Sequence, residues 1–370
     1  MIGDERSHIM TGQHRIVVLG AGYGGLAAAR RLVRKARSAQ ITVVDAHSTV
    51  VERVRLHQRA AGQDIPVRDL RELLERKNIR FEHATATTID TTGRRVVLAG
   101  SPALEYDTLI YALGSVADVE SVPGVAEHAY SIATQDERRP AVMPRSVAVV
   151  GAGPTGIELA AELAESYPDT RVLLLGAEEP AAGLSPRAQA HVRRTLERLG
   201  VDIRSGVKVI EVTEEGVRLA DGSLVEARAT MWTTGFRVPD LAARSGVAVD
   251  LEGRVSTDAT LRSVSHPDIY AVGDAAVVAG PGDRELRMAC ATALPTGKYA
   301  ADVVAARLRG AEPPKLRFRY VVQCVSLGRR DGLIQFVHAD DTPGRMVLTG
   351  RTAAWVKEQV VRSTVSASRP

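Results

Sequence analysis

The chain carries the same short punctuation twice, about 130 residues apart: Gly20-Ala21-Gly22-Tyr23-Gly24-Gly25 and Gly151-Ala152-Gly153-Pro154-Thr155-Gly156. Each follows an apolar run, Ile16 to Leu19 or Val147 to Val150, and precedes a segment with apolar residues at helical spacing, Leu26 to Val33 or Ile157 to Ala164. A second apolar run comes next in both cases, Ile41 to Val44 and Val172 to Leu175. Strand, glycine loop, helix and strand in that order make a doubly wound unit. Two such units predict an α/β chain with two Rossmann-like dinucleotide-binding domains. The loops have a mechanism. The first glycine permits the tight turn, the second lets the backbone approach a pyrophosphate, and the third packs helix on strand. The phosphates then sit at a helix amino end, where unpaired N–H groups and the dipole favour negative charge.

The residue twenty positions past each loop differs between the two units. After Gly25 it is Asp45, at the end of a strand, which suits ribose hydroxyls. After Gly156 it is Gly176, with Glu178 and Glu179 close by and no arginine beside it. An acid there would repel a 2′-phosphate; its absence leaves NADH and NADPH equally open. A third element, Ile269 to Asp274, runs a strand into Gly273-Asp274, whose glycine lets backbone pass near a ligand and whose carboxylate accepts from a polyol hydroxyl.

At 370 residues the chain exceeds what one core organises. We place one dinucleotide-binding domain, split in sequence, at 12–118 and 240–312, a second, inserted one at 119–239, and a small C-terminal cap at 313–370. Crossings fall near Val116 to Val122 and Thr234 to Pro239. Strands are expected over Phe81 to Ile89, Phe318 to Val325 and Leu333 to Val337, a turn at Gly100-Ser101-Pro102, a closing helix from about Thr352 to Arg362, and a loose tail over Ser363 to Pro370.

Basic and acidic residues number 48 and 44 and are interspersed, so the net charge of +4 does not describe a nucleic-acid binder. The two cysteines, Cys290 and Cys324, lie far apart with no CxxC, which reads as buried thiols in a reducing, cytoplasmic compartment. No signal-peptide core precedes the first strand, and no run of apolar residues reaches the roughly 18 a membrane span needs. No metal cluster or nucleophilic triad is visible.

With the two glycine loops and Gly273-Asp274 in place, two more segments, Leu109 to Ser115 and Trp232 to Phe236, complete a pattern that resembles the pyridine nucleotide-disulfide oxidoreductase family over nearly the whole chain. The resemblance implies FAD held by Gly20, Gly22, Gly24, Gly25, Asp45, Ala86, Gly114, Gly273, Asp274, Pro295 and Thr296, with Pro295-Thr296-Gly297 bringing a helix amino end beneath the flavin pyrimidine. It implies NADH or NADPH held by Gly151, Gly153, Pro154, Thr155, Gly156 and Gly235, with Glu158 reaching toward the nicotinamide as the catalytic candidate. The alternative for Glu158 is an acid in the first helical turn serving its own dipole. His57 lines the flavin's outer face by the same resemblance, or is an ordinary core or surface histidine. Without a CxxC, thiol–disulfide relay is not available, and the remaining branch resembles type II NADH dehydrogenases and apoptosis-inducing-factor-like reductases. That branch implies hydride transfer from NAD(P)H to flavin and onward to a small acceptor such as a quinone, with at most weak peripheral membrane contact through the closing helix and room for a homodimer. A flavin-dependent monooxygenase-type enzyme and a slow-turnover NAD(P)H sensor are the rival readings.

Overall fold

The computed structural model describes residues 13–50, 52–132, 140 and 142–368; the amino-terminal stretch and the boundary at residue 12 lie outside them. Two five-stranded parallel sheets dominate. In the first, the strands run Ile269–Ala271, Thr108–Tyr111, Arg15–Leu19, Gln40–Asp45 and Arg80–His83. In the second they run Asp202–Ser205, Arg171–Gly176, Ser146–Val150, Ala229–Trp232 and Ala129–Ser131. Each glycine loop thus follows a central strand and opens at its carboxyl end, where ligands of open α/β sheets bind. The central strands are continuous apolar runs because both faces are covered: Ile16, Val18, Leu19, Val147, Ala148 and Val149 are fully buried.

The two crossings pair with each other. Val116–Ala117 runs antiparallel to Phe236–Arg237, so the chain leaves and re-enters the first unit on one two-stranded ribbon.

Each unit also carries a three-stranded antiparallel sheet, and here the sequence reading needs correction. Phe81 to Ile89 is not one strand but two, Arg80–His83 in the parallel sheet and Ala86–Asp90 in the antiparallel one. Ser101 and Pro102 belong to the strand Ser101–Glu105, and the turn is confined to the residues before them. Pro102 is tolerated because Ser101–Glu105 is an edge strand.

The carboxyl-terminal section is a three-stranded sheet, Val322–Ser326, Gly332–Val337 and Pro343–Thr349, followed by the helix Gly350–Ser368. Val325, Leu327 and Leu333 share a core with Ile157, Leu159 and Leu163, which seats this section on the second unit. The helix does not stop at Arg362: Val361 and Val365, one turn apart, are both buried, and Arg30 Nη1 donates to Ser366 O at 3.1 Å. Burial of that stripe, not propensity, carries the helix through the segment expected to be loose; its last two residues, 369 and 370, lie outside the described ones. Trp355 and Val360 remain exposed. Among the described residues no helix is long and apolar enough to cross a membrane.

Candidate functional site

Both glycine loops close alike. Gly20 and Gly151 have φ of +100° and +114°, and a Cβ on Gly25 or Gly156 would lie 1.9 or 1.8 Å from the Gly20 or Gly151 carbonyl oxygen. By contrast, nothing lies within 4 Å of a Cβ built on Gly22 or Gly153. The middle glycine of each loop therefore faces open space at the amino end of a helix, Tyr23–Lys35 or Pro154–Ser166, neither of which carries an acid in its first turn. Such a cradle fits a pyrophosphate. Pro154 and Thr155 open the second helix, and Gly24 packs against Ala293 and Val272. Asp45 reaches back to the first loop, its Oδ2 accepting from Ala21 N at 2.6 Å.

Of the other residues expected around FAD, Gly114, Gly273 and Asp274 come together beside Ser115. Ser115 Oγ donates to Asp274 Oδ2 at 2.7 Å, and Arg53 Nη1 donates to Ser115 O at 2.7 Å. Asp274 Oδ1 is buried with no partner. Buried polar atoms are normally bonded, and a polyol hydroxyl is the kind of donor this oxygen lacks, so the site fits the ribityl chain of FAD. Gly114 and Gly273, at φ +64° and +67°, turn the backbone into the same region. Ala86 begins a strand of the antiparallel sheet, paired with Leu98.

Pro295 and Thr296 are placed differently from the expectation. The helix there begins at Cys290, so Pro295 lies inside it. Thr296 is fully buried, its hydroxyl donating to Thr292 O at 2.8 Å and accepting from Gly273 N at 3.1 Å. The helix amino end is Cys290-Ala291, and the role of Thr296-Gly297 is to let two helices meet: a Cβ on Gly297 would lie 2.1 Å from Gly24 O.

In the second unit Gly176 cannot be an acid, because its Cβ would fall 2.5 Å from Ala152 Cβ in the glycine loop. Glu178 and Glu179 are exposed just beyond it, and Arg193 is drawn to Glu179 and Glu197. Gly235, φ +72°, lies on the ribbon between the units, its carbonyl accepting from Asp118 N at 3.0 Å.

Glu158 is not a first-turn acid serving a dipole. It is buried, with Oε1 2.9 Å from Lys357 Nζ and accepting from Ser326 N at 3.0 Å, while Oε2 lies 3.5 Å from His57 Nδ1. Burial alone would raise its pKa, but the Lys357 charge, with the hydrogen bonds from Lys357 and Ser326 N, outweighs that and holds it below the ordinary carboxylate value. For Lys357 burial acts downward and the Glu158 charge reverses it, leaving the ammonium above its ordinary value. His57 goes the other way: burial lowers it from 6.5 to about 4, only partly opposed by Glu158. At neutral pH the cluster is a carboxylate, an ammonium and a neutral imidazole whose Nε2 is buried without a partner.

Lys357 Nζ also donates to Cys324 O at 3.2 Å. Cys290 and Cys324 are free and half-buried rather than fully buried, and both feel the Lys357 charge, though burial keeps both thiols above their ordinary pKa. Far apart in sequence, the two cysteines face one ammonium.

The pyridine nucleotide-disulphide oxidoreductase family profile matches residues 14–297. The chain belongs to this family. Within it, it falls in the type II NADH dehydrogenase-like branch. It is 30% identical to a type II NADH:quinone oxidoreductase of Mycobacterium tuberculosis, over 81% of this chain and 74% of that protein. It is 28% identical to an NADH dehydrogenase-like protein of the same organism, over 94% of this chain and 92% of that one. In fold it is similar to NDH2 of Plasmodium falciparum in complex with NADH (TM-score 0.81, 14% identity, 96% of each chain) and to the sulfide:quinone oxidoreductase of Aquifex aeolicus (TM-score 0.80, 20% identity, 96% of this chain and 91% of that one). As a member of the family the protein is an FAD-dependent NAD(P)H oxidoreductase.

For this flavoprotein the sequence reading passed over Lys357, Ser326 and Glu162 as site residues. A signal existed for one of them. Glu162 stands four positions after Glu158 in the otherwise apolar run Leu159 to Ala164 and is fully buried, bonded to Gln63 and Arg329. Lys357 had no local signal, since its partner lies about two hundred residues earlier.

Proposed function

We propose that the protein passes electrons from NADH, through FAD, to a quinone, with Lys357 and Glu158 at the acceptor's end of the path. The observation that carries this is the buried ion pair between them, 2.9 Å across, which joins the carboxyl-terminal helix to the helix behind the second glycine loop.

When bound, FAD supplies two-electron chemistry with the nicotinamide and releases the electrons to an acceptor. The chain's own groups hold and orient. On this reading Gly20, Gly22 and Gly25 with Asp45 carry the FAD pyrophosphate and ribose, Asp274 takes a ribityl hydroxyl, and Gly151, Gly153 and Gly156 carry the nicotinamide dinucleotide. The amino end of the helix that begins at Cys290 would favour negative charge on a reduced flavin held beside it.

Lys357 has three ammonium donors. Glu158 and Cys324 O take two, which leaves one for a ligand oxygen. Because the Lys357 pKa is raised, its first task is electrostatic, stabilising negative charge on the acceptor's oxygen as electrons arrive. Neutral His57 adds no competing positive charge. Exposed Glu178 and Glu179 with Arg193 committed to carboxylates support NADH over NADPH. Exposed Trp355 and Val360 on the closing helix support peripheral contact with a quinone-bearing membrane.

The test is NADH oxidation by the purified, flavin-containing protein, measured without oxygen against a panel of water-soluble quinones and, separately, with oxygen as the sole acceptor. Quinone-dependent turnover that greatly exceeds turnover with oxygen alone supports the reading; NADH use that proceeds only with oxygen and yields a hydroxylated product overturns it.

A further inference from the structure

A cleft of about 560 Å³ opens between the loop that follows His57 and the carboxyl-terminal helix, within the roughly 300–1,000 Å³ typical of small-molecule sites. It is distinct from both glycine loops. Its walls are polar and rich in guanidinium groups, with Arg55, Arg68, Arg329 and Arg362 facing Glu52, Asp64 and Glu358. Three of the four arginines are held by carboxylates. Arg55 pairs with Glu52 at 3.3 Å and with Glu358 at 2.8 Å, Arg362 shares Glu358 at 2.9 Å, and Arg329 pairs with Glu162.

Arg68 is different. It has no ion pair among the described residues, and its Nε–H is buried without an acceptor. The backbone beneath it is settled: Arg68 O accepts from Val50 N at 2.9 Å, and the next residue, Asp69, caps the helix Leu70–Glu75 by accepting from Glu72 N at 2.8 Å. A guanidinium offers its donors as a planar fork that matches two oxygens of a carboxylate or phosphoryl group. A buried donor with no acceptor is costly and favours any state in which an oxygen reaches it. Four arginines against three carboxylates, Glu52, Asp64 and Glu358, give the lining an excess of positive charge, which favours an anion over a cation.

We propose that this cleft binds a small oxyanion, a polycarboxylate or a phosphoryl compound, through the fork of Arg68. The site stands one residue from the acid–base cluster on two walls, since Gln58 follows His57 and Glu358 follows Lys357. It does not depend on which acceptor the flavin reduces.

The experiment is isothermal titration of the FAD-loaded full chain, without NADH, using citrate in one arm and inorganic phosphate in the other, each against sodium chloride of matched ionic strength. Saturable one-to-one binding is expected in at least one arm, and the arm that responds tells a carboxylate from a phosphoryl ligand. Arg68→Gln should weaken that binding at least tenfold at unchanged flavin content. Ile65→Glu sets a negative charge in the same cleft without removing a hydrogen bond, and should weaken it as well. Heats equal to the chloride control for both anions overturn the proposal, as does undiminished binding to Arg68→Gln. If Arg68→Gln fails to retain flavin, Ile65→Glu decides, and undiminished binding there overturns it.

Discussion

Lys357 and Glu158 come from distant segments of the chain and meet as an ion pair, 2.9 Å apart, where the closing helix lies on the cap strands that are themselves packed against the second unit. Removing one partner leaves the other charge buried and unpaired, which costs on the order of 3–5 kcal/mol. Lys357→Met and Glu158→Gln should each lower the free energy of unfolding markedly, and the double variant should lose less than the sum of the two. Denaturant titration of all four proteins gives the coupling; strictly additive losses would show that the pair is not a unit.

His57 makes stability pH-dependent with a definite sign. Its folded pKa of about 4 is below its ordinary 6.5, so the unfolded chain binds this proton more readily than the folded one. The contribution is intact above pH 6.5 and is lost as pH falls toward 4, by roughly 3 kcal/mol in all. His57→Gln should therefore flatten the fall in unfolding free energy between neutral pH and the lower limit. Parallel curves for the variant and the parent would mean that the histidine is not buried neutral.

The two glycine loops should be separable. A valine side chain at Gly22 or Gly153 meets no protein atom at its Cβ and so obstructs only the ligand. Gly22→Val should yield protein poor in FAD. Gly153→Val should keep its flavin and lose reduction by NADH. Asp45→Ala, which removes the 2.6 Å bond to Ala21 N, should lower flavin retention. Flavin content after purification and anaerobic bleaching by NADH check all three, and loss of both properties in Gly153→Val would contradict the division of labour.

On the proposed reading, nucleotide choice follows from groups near Gly176. Exposed Glu178 and Glu179, with Arg193 committed, should give a kcat/KM for NADH at least tenfold above that for NADPH, on the order of 1.4 kcal/mol. Neutralising both acids as Glu178→Gln with Glu179→Gln should narrow the ratio; an unchanged ratio would place the discrimination elsewhere.

What could be read in the sequence was whatever local pattern dictates. The central strands Arg15–Leu19 and Ser146–Val150, their glycine loops and the helices behind them are each encoded in a few adjacent residues. The first two residues of the edge strand Ser101–Glu105 were read as part of a turn because Gly100 and Pro102 are turn residues, and only the strand's place at a sheet edge makes the proline acceptable. The end of the closing helix was read as loose because terminal residues fray unless something ties them down, while Val361 and Val365 hold it by burial. Glu158 was singled out, but its environment was not. Lys357, Ser326 and His57 reach it from three distant segments, and no spacing rule records such an encounter.

The central claim is that Lys357 acts at the acceptor step and not at the nicotinamide step. Stopped-flow measurement of the two half-reactions, flavin reduction by NADH and reoxidation by a quinone, tests it directly in Lys357→Met with its flavin retained. Removing one electrostatic donor of this kind should slow reoxidation about a hundredfold and leave reduction by NADH within a few-fold of the parent. Slowed reduction with normal reoxidation would contradict the account.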